Sequence, residues 1–440
     1  MFSDYSGRKG IFYICSSINH VILKQKRIMN QVNRRNFLRL AGAGAAAAAA
    51  APVAQAMGQA TSPVPQPADQ ATASTAGATN SETAGNQVQQ AKPDTNIADA
   101  AKIARGPNSM PGLFPGKVAL VKNTASVKDN AIVEQEVYDM IARSMLELTG
   151  EKKLKKAWRR FVAPGERIGL KVNPVAGKSL STSHEVVRAV IAQLQESGIE
   201  RSQLTIWDRR EFELTDVGFT AENYPGIRIV GTEQMDKDGL YYGKDGKLYG
   251  EHMIDRDWYY WADVEGEYDE YTMPYMVNGG KYSYFTKILT QELDKVINIP
   301  ILKNAGMTVT LALKNLAFGS VSNTGRLHAK LWNETCAQVC AFAPVRDKVV
   351  LNIVDGIKGC FNGGPGANPQ FFCDYHTIIT GTDPVAVDRI GYDIVLAKRI
   401  AEGLQKEGTQ QALEFMVQAE RLSLGIADRT KIELKEVVLG

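Results

Sequence analysis

Lys295–Leu302 reads KVINIPIL and is followed at once by Lys303-Asn304. A short apolar run closed by a polar pair is the pattern of a buried strand in a parallel sheet. Met307–Leu316 (MTVTLALKNL), with Lys314-Asn315 near its end, then reads as a helix. Lys348–Val354 is a second strongly apolar strand, ending in Asp355-Gly356. Strand, helix, strand is the repeating unit of an α/β sheet.

The same rhythm extends to both sides. Upstream, Lys117–Val121 predicts a strand, and Ala131–Leu148 a helix with Ile132, Val133, Val137, Met140, Ile141 and Leu148 at helical spacing. Arg167–Val172 is a strand that ends in Lys171 and Asn173. Thr182-x-x-Glu185 predicts a capping box for the next helix, which Gly198 stops. Leu204–Trp207 is a strand ending in Asp208-Arg209, and Ile227–Val230 another. Downstream, Thr377–Thr380 is a short strand leading to Thr382-Asp383. Asp383-Pro384 then caps and opens a helix, and Gln411–Leu422 is the last helix. The expectation is an α/β fold with a mostly parallel sheet flanked by helices.

The rhythm breaks once. Residues 232–284 hold ten of the sixteen Tyr, with Trp258, Trp261 and interleaved acids. Lys244-Asp245-Gly246-Lys247 is a hairpin turn. An aromatic-rich β flap inserted over 232–290 is expected. Its Tyr faces either stack on a ligand or pack on the main sheet.

In open α/β sheets ligands bind beyond the carboxyl ends of the strands. Five such ends carry polar or ionisable residues: Lys171/Asn173, Asp208/Arg209, Lys303/Asn304, Asp355 and Asp383. Lys171, Lys303 and Lys314 are candidate anion clamps, with Asn173, Asn304, Asn315 and Asp383 beside them. Asp208 and Asp355 are candidate bases or metal ligands, and His328 a second acid/base next to Arg326. Gly363 and Gly364 form a glycine loop that would let backbone approach a ligand. The blander alternative is that strand ends face solvent and are polar anyway. No H-E-x-x-H pair or nucleophile elbow is present. Cys336, Cys340, Cys360 and Cys373 lack ferredoxin spacing. They read as structural thiols, as a disulfide between Cys360 and Cys373, or as ligands of an iron–sulfur cluster.

KVNPVAG at 171–177, SHEVVRAVI at 183–191, IPILKNAGMTVTLALKNLAFG at 299–319, RLH at 326–328, VDGIKG at 354–359, GGP at 363–365 and TDPVAVDRI at 382–390 together resemble the family numbered 362 among domains of unknown function. The resemblance spans about residues 165–400. It implies the fold and the motif positions and supplies no reaction. The family often places His after the strand-ending Lys, where this chain carries Asn304. Some relatives add a ferredoxin-like segment that this chain lacks.

Asn33-Arg34-Arg35-Asn36-Phe37-Leu38 precedes an uncharged, Ala-rich run from Leu40 to Ala56 that ends in Ala54-Gln55-Ala56. A basic region, a weakly apolar run and a small-x-small site form an export signal peptide over 1–56. The pair Arg34-Arg35 resembles the twin-arginine signal, which implies the twin-arginine export machinery as a partner, folding before export and a periplasmic location. An uncleaved anchor is the alternative, although the run is marginal for spanning a bilayer. Met29 is a better start than Met1. Residues 57–115 read as an Ala/Thr/Gln/Pro-rich flexible linker, with the folded domain over 116–440.

The whole chain carries a net charge of +3. Residues 1–56 hold eight basic residues and one acid, so the remainder has 43 basic against 47 acidic side chains, a net −4. A mildly acidic body excludes general nucleic-acid binding. Three functions fit these residues. One is an exported enzyme acting on an anionic small molecule. The second is a non-catalytic periplasmic ligand-binding protein. The third is a Cys-cluster electron carrier. A metal or an iron–sulfur cluster is the cofactor class left open.

Overall fold

A computed structural model describes residues 92–234, 249–265 and 280–440. Arg34, Arg35, the run to Ala56, most of the linker and the Lys244–Lys247 turn lie outside the described residues.

Strands and helices alternate as the apolar spacing requires. β1 (Lys117–Lys122) leads to α1 (Glu134–Thr149), β2 (Ile168–Lys171) to α2 (His184–Glu196), and β3 (Leu204–Arg210) to α3 (Glu211–Val217) and β4 (Arg228–Glu233). The insertion contributes β5 (Ile254–Trp261) and β6 (Tyr282–Thr286), paired antiparallel and apart from the main sheet. Then come β7 (Lys295–Asn298), β8 (Ile301–Ala305), β9 (Thr308–Val309), α4 (Ala312–Ser320), α5 (Gly325–Lys330) and α6 (Trp332–Ala341). β10 (Val349–Cys360), β11 (Phe372–Gly381), α7 (Pro384–Ala401), α8 (Gln410–Arg421) and β12 (Glu433–Val438) complete the described elements used below.

The main sheet runs β12-β1-β11-β10-β7-β2-β3-β4, with β8 beside β10 and β9 on β8. Along this path every pairing is parallel except the two made by β11. The fold is therefore α/β, with a mixed but mostly parallel sheet between two helix layers. Side-chain alternation along the strands builds both interfaces. Ala119 and Val121 face the core formed with α1 and α2, whereas Val118 and Leu120 face the one formed with α4, α6, α7 and α8.

Four expectations shift. Met307–Leu316 is not one helix: Thr308 and Val309 pair with Ala305 and Asn304, as suits β-branched residues, and α4 starts only at Ala312. Its first turn is held by the buried Asp388 of α7, which accepts from the Ala312 and Leu313 amides at 2.6 and 3.1 Å. The Thr182–Glu185 capping box does not form. Ser183 is the N-cap without a side-chain cap bond, and Thr182 instead donates to the Ile299 carbonyl at 2.7 Å. Residues 92–115 are not a free linker: Asn96 donates to the Trp261 carbonyl at 3.1 Å, and Met110 is buried and bonds the Arg346 carbonyl at 2.8 Å. Finally, the strand read over Lys295–Leu302 is two strands. β7 pairs with β2 and with the first half of β10, whereas β8 pairs with the outer half of β10 and with β9 and makes no pairing with β2.

This last change forks the sheet. The Ile299 amide donates to the Lys171 carbonyl at 2.7 Å, after which β2 and β8 part on either side of a seam.

Candidate functional site

The carboxyl ends of β2, β3 and β7 meet β8, the middle of β10 and one face of α4 at that seam. Lys171 ends β2, and the fully buried ammonium lies against the buried Asp208 carboxylate of β3. It also donates to the Val172 carbonyl at 2.9 Å and to Asn315 Oδ1 at 3.0 Å. Its Nζ lies 5.4 Å from the Trp207 ring centre. Burial draws the Lys171 pKa down, and the Asp208 carboxylate opposes it. With three protein acceptors, Lys171 is committed to the protein and is no anion clamp. α4 passes directly over the pair at Gly319, where a Cβ would stand 2.7 Å from Lys171 Nζ. Only glycine permits that approach.

A head-to-tail chain of amides crosses the seam. Lys303 Nζ bonds Asn173 Oδ1 at 3.0 Å, Asn173 Nδ2 donates to Asn315 Oδ1 at 3.0 Å, and Asn315 Nδ2 to Asn298 Oδ1 at 2.8 Å. Asn298 Nδ2 donates to Asn352 Oδ1 at 2.9 Å, and Asn352 Nδ2 to the Gly381 carbonyl at 3.3 Å. Because the Lys171 ammonium has only donors, Asn315 must present its oxygen to it, which fixes the sense of the chain. Asn298 and Asn352 escaped the sequence reading. Their trace there is an Asn inside a run of Val, Ile and Leu, a residue disfavoured in strands and costly to bury unless paired.

Lys303 is the exceptional group. It is 1% exposed, and Asn173 Oδ1 is its one hydrogen-bond acceptor among the described residues. Burial, and then the nearby Lys314 cation, lower its pKa to about 7. Lys314 is half-buried, with Nζ 5.4 Å from the Phe318 ring centre and 6.0 Å from that of Trp332. The His328 ring packs on the same Phe318 at 4.3 Å, and Nδ1 faces the Thr324 carbonyl at 3.0 Å.

Asp355 is nearby but serves as an anchor. Its buried carboxylate accepts from the Ser183 amide and hydroxyl at 2.8 and 2.7 Å and from the Ile357 amide at 3.2 Å. Burial raises its pKa and these donors oppose the rise. Together with Thr182, it ties down the strap Pro174–Ser181, whose Leu180 packs on Ile301 and Cys360. Asn304 seats the glycine loop: it accepts from the Gly364 amide at 3.0 Å and donates to the Gly306 carbonyl at 2.7 Å. A Cβ on Gly364 would collide with the Asn304 carbonyl and one on Gly363 with the Asn368 side chain, so the loop closes on the protein itself here.

Several expected site residues lie elsewhere. Asp383 follows β11, the strand that runs against its neighbours, and so emerges at the opposite end of the sheet. There it caps α7 through the Val385 and Ala386 amides and holds the Gly116 and Ile426 amides at 3.0 Å. Arg326 is buried and donates to the Ala262, Val264 and Lys281 carbonyls, which binds α5 to the β5–β6 ribbon. Also away from the seam, His184 at the start of α2, a residue not among the candidates above, is engaged by the Tyr224 hydroxyl at 2.6 Å and the Val217 carbonyl at 2.9 Å. Of the flap aromatics, Tyr260 is buried near Phe342, whereas Tyr259, Tyr282 and Tyr284 cluster at 5.2 to 6.3 Å with Tyr282 41% exposed.

The cysteines do not converge. Cys336 and Cys340 sit on α6 in the core, Cys360 in the small cluster under the strap, and all four thiols are free. Cys373 is in register with Gly359, and Cys360 with Phe372, so the two thiols face opposite sides of the sheet and form no disulfide. Among the described residues no three His, Cys, Asp or Glu side chains are grouped to hold a metal, and no helix is long and apolar enough to cross a membrane.

The arrangement also includes an ion network that the sequence reading missed. Arg210 meets Glu213 and Glu233 at 2.9 and 3.2 Å, and Arg209 reaches the Thr324 hydroxyl. Burial raises the Glu233 pKa against the two arginines.

No curated protein matches the chain. A solved structure, titled as the crystal structure of a protein from Thermotoga maritima and a structural-genomics target, is 9% identical with a TM-score of 0.32. The alignment covers 61% of this chain and 60% of that one. The motifs at 171–191 fall outside the family match. The family described as Domain of unknown function (DUF362) matches residues 263–393, the stretch that carries Lys303, Lys314, Asn315 and Asp355.

Proposed function

We propose that this chain is an exported α/β protein that binds a small anion, a carboxylate or phosphate, at the carboxyl ends of its strands. Lys303 and Lys314 supply the charge and Asn173 the oriented amide. The observation that supports this is Lys303: a buried amine with one acceptor and a second lysine beside it, at the sheet end where α/β proteins hold ligands. A bound anion would stabilise the ammonium that burial disfavours.

At pH 6, inorganic phosphate or citrate at a hundred times its Kd is expected to stabilise the protein by about 2.7 kcal/mol, read as a rise in Tm. Lys303→Met and Lys314→Met should each lose most of that rise, and Lys178→Ala, on the exposed strap, should keep it. Equal stabilisation of all three variants, or none of the wild type, would sink the assignment.

Export rests on Arg34-Arg35 and the run to Ala54-Gln55-Ala56. Replacing both arginines by lysine is expected to leave an unprocessed precursor in the cytoplasm, seen by fractionation and blotting. Unchanged processing in the double variant would refute the twin-arginine route.

A further inference from the structure

We propose that Lys303 is an imine-forming lysine and that the anion carries a carbonyl next to its charge, as a 2-oxo acid does. The inference rests on the anion site just described and deepens it.

The geometry is that of a nucleophilic amine. Lys303 Nζ is held at the seam between β2 and β8 by a single bond to Asn173 Oδ1, so its remaining valences point into no protein acceptor among the described residues. An amine is nucleophilic only when neutral, and burial beside a second cation favours the neutral form. The groups acting on it come from four elements. Lys314 of α4 disfavours its charge, while Glu213 of α3, Asp208 of β3 and Cys360 of β10 favour it. Asp208 is largely neutralised by Lys171, and Glu213 is paired with Arg210. Lys314 therefore has two uses. It keeps the neighbouring amine neutral, and it attracts the carboxylate of the substrate.

Lys171 is the contrasting case. It is equally buried, but its amine is engaged by Asp208, Val172 and Asn315, and the Asp208 carboxylate opposes the fall in pKa that burial imposes. The two lysines lie on one amide chain with opposite assignments.

The step balances without an oxidant. The neutral Lys303 amine attacks the carbonyl carbon, forming a C–N bond while the carbonyl oxygen takes up a proton. The carbinolamine then loses water as the C=N bond forms, and the amine protons leave with that water and to solvent. Access follows from the strap Pro174–Ser181. Val175 is 50% exposed, and the strap is held by Leu180, by the Asn173–Thr182 bonds that close its base and by Ser183 on Asp355, while its tip makes only internal turn bonds among the described residues.

The test is borohydride trapping on the mature protein. Protein incubated with pyruvate from about pH 5 to 9 is reduced and digested, and peptide mass spectrometry locates the 1-carboxyethyl group. The expected result is an adduct concentrated on Lys303, rising through a midpoint near neutral pH. In Lys314→Met that midpoint should move upward by about one unit, because a like charge has been removed. Lys303→Met, if folded by circular dichroism, should lose the adduct. Adduct spread over exposed lysines such as Lys178 without enrichment at Lys303 overturns the proposal, as does a pH profile unmoved in Lys314→Met. Stabilisation by phosphate without trapping overturns the imine alone. Absence of both overturns the anion site as well.

Discussion

Asp208→Ala is expected to cost about 3–5 kcal/mol of folding stability, because it leaves the Lys171 ammonium buried without its counter-ion. Neither side chain has water to fall back on: Lys171 is 0% and Asp208 3% exposed. Gly319 seals them from above, so no rearrangement of α4 can admit solvent without moving the helix. The exposed pair of Arg188 with Glu134 is the useful contrast, since its removal should cost no more than about 1 kcal/mol. The double variant Lys171→Met/Asp208→Leu should recover most of the loss, because the expense lies in the orphaned charge and not in the missing attraction. Urea denaturation of the three proteins reads these differences. A loss below about 1 kcal/mol for Asp208→Ala would mean that the pair is solvated.

The second large effect is on pH. Lys303 titrates near 7 when folded and at its ordinary 10.5 when unfolded. Between those values the unfolded chain holds a proton that the folded one has shed. Stability contributed by this group therefore rises with pH across that window, at up to about 1.4 kcal/mol per unit. Below the window both states are protonated, the slope vanishes, and the folded protein bears the whole cost of a buried ammonium. Lys303→Met should thus gain most over wild type at about pH 6, and the advantage should shrink steadily towards about pH 10. Denaturant melts at several pH values, taken as variant minus wild type, isolate the group from all others. A difference that stays flat with pH would show that Lys303 keeps its ordinary pKa.

The sheet was legible because its strands are apolar runs bounded by Gly, Asn and Asp, and because α1, α2 and α8 bury regular stripes. Lys171, Asn173, Asp208 and Lys303 were legible for one reason: polar residues at the carboxyl ends of parallel strands must meet, and Asn315 joins them from α4. Asp383 looked equivalent to them in sequence. A local pattern does not show strand direction, and β11 runs the other way. Arg326 was misread because its acceptors are three carbonyls and the Ser283 hydroxyl of the inserted ribbon, and backbone carbonyls leave no trace in composition. Asn298 and Asn352 were hidden by position, since a lone Asn in an apolar strand resembles a tolerated exception until its partner across the sheet is known. The break between Asn298 and Ile301 had a cue in Pro300, which cannot donate to a ladder.

The fork at Ile299 has a mechanical consequence. The floor of the site is not a set of loops but two diverging strands, each still locked to a neighbour, with β8 on β10 and β2 on β3. Its dimensions are inherited from ladder spacing, so it is as stiff as the sheet itself. Compliance is left to the strap, which is closed at its base by the Asn173–Thr182 bonds and otherwise rests on the Leu180 contact. For the proposed anion, entry and exit would thus be a bending problem for the eight residues 174–181 on a rigid frame. Changes to Leu180 or Ser183 should alter how fast the site opens while leaving the placement of Lys303 and Lys171 on that frame intact.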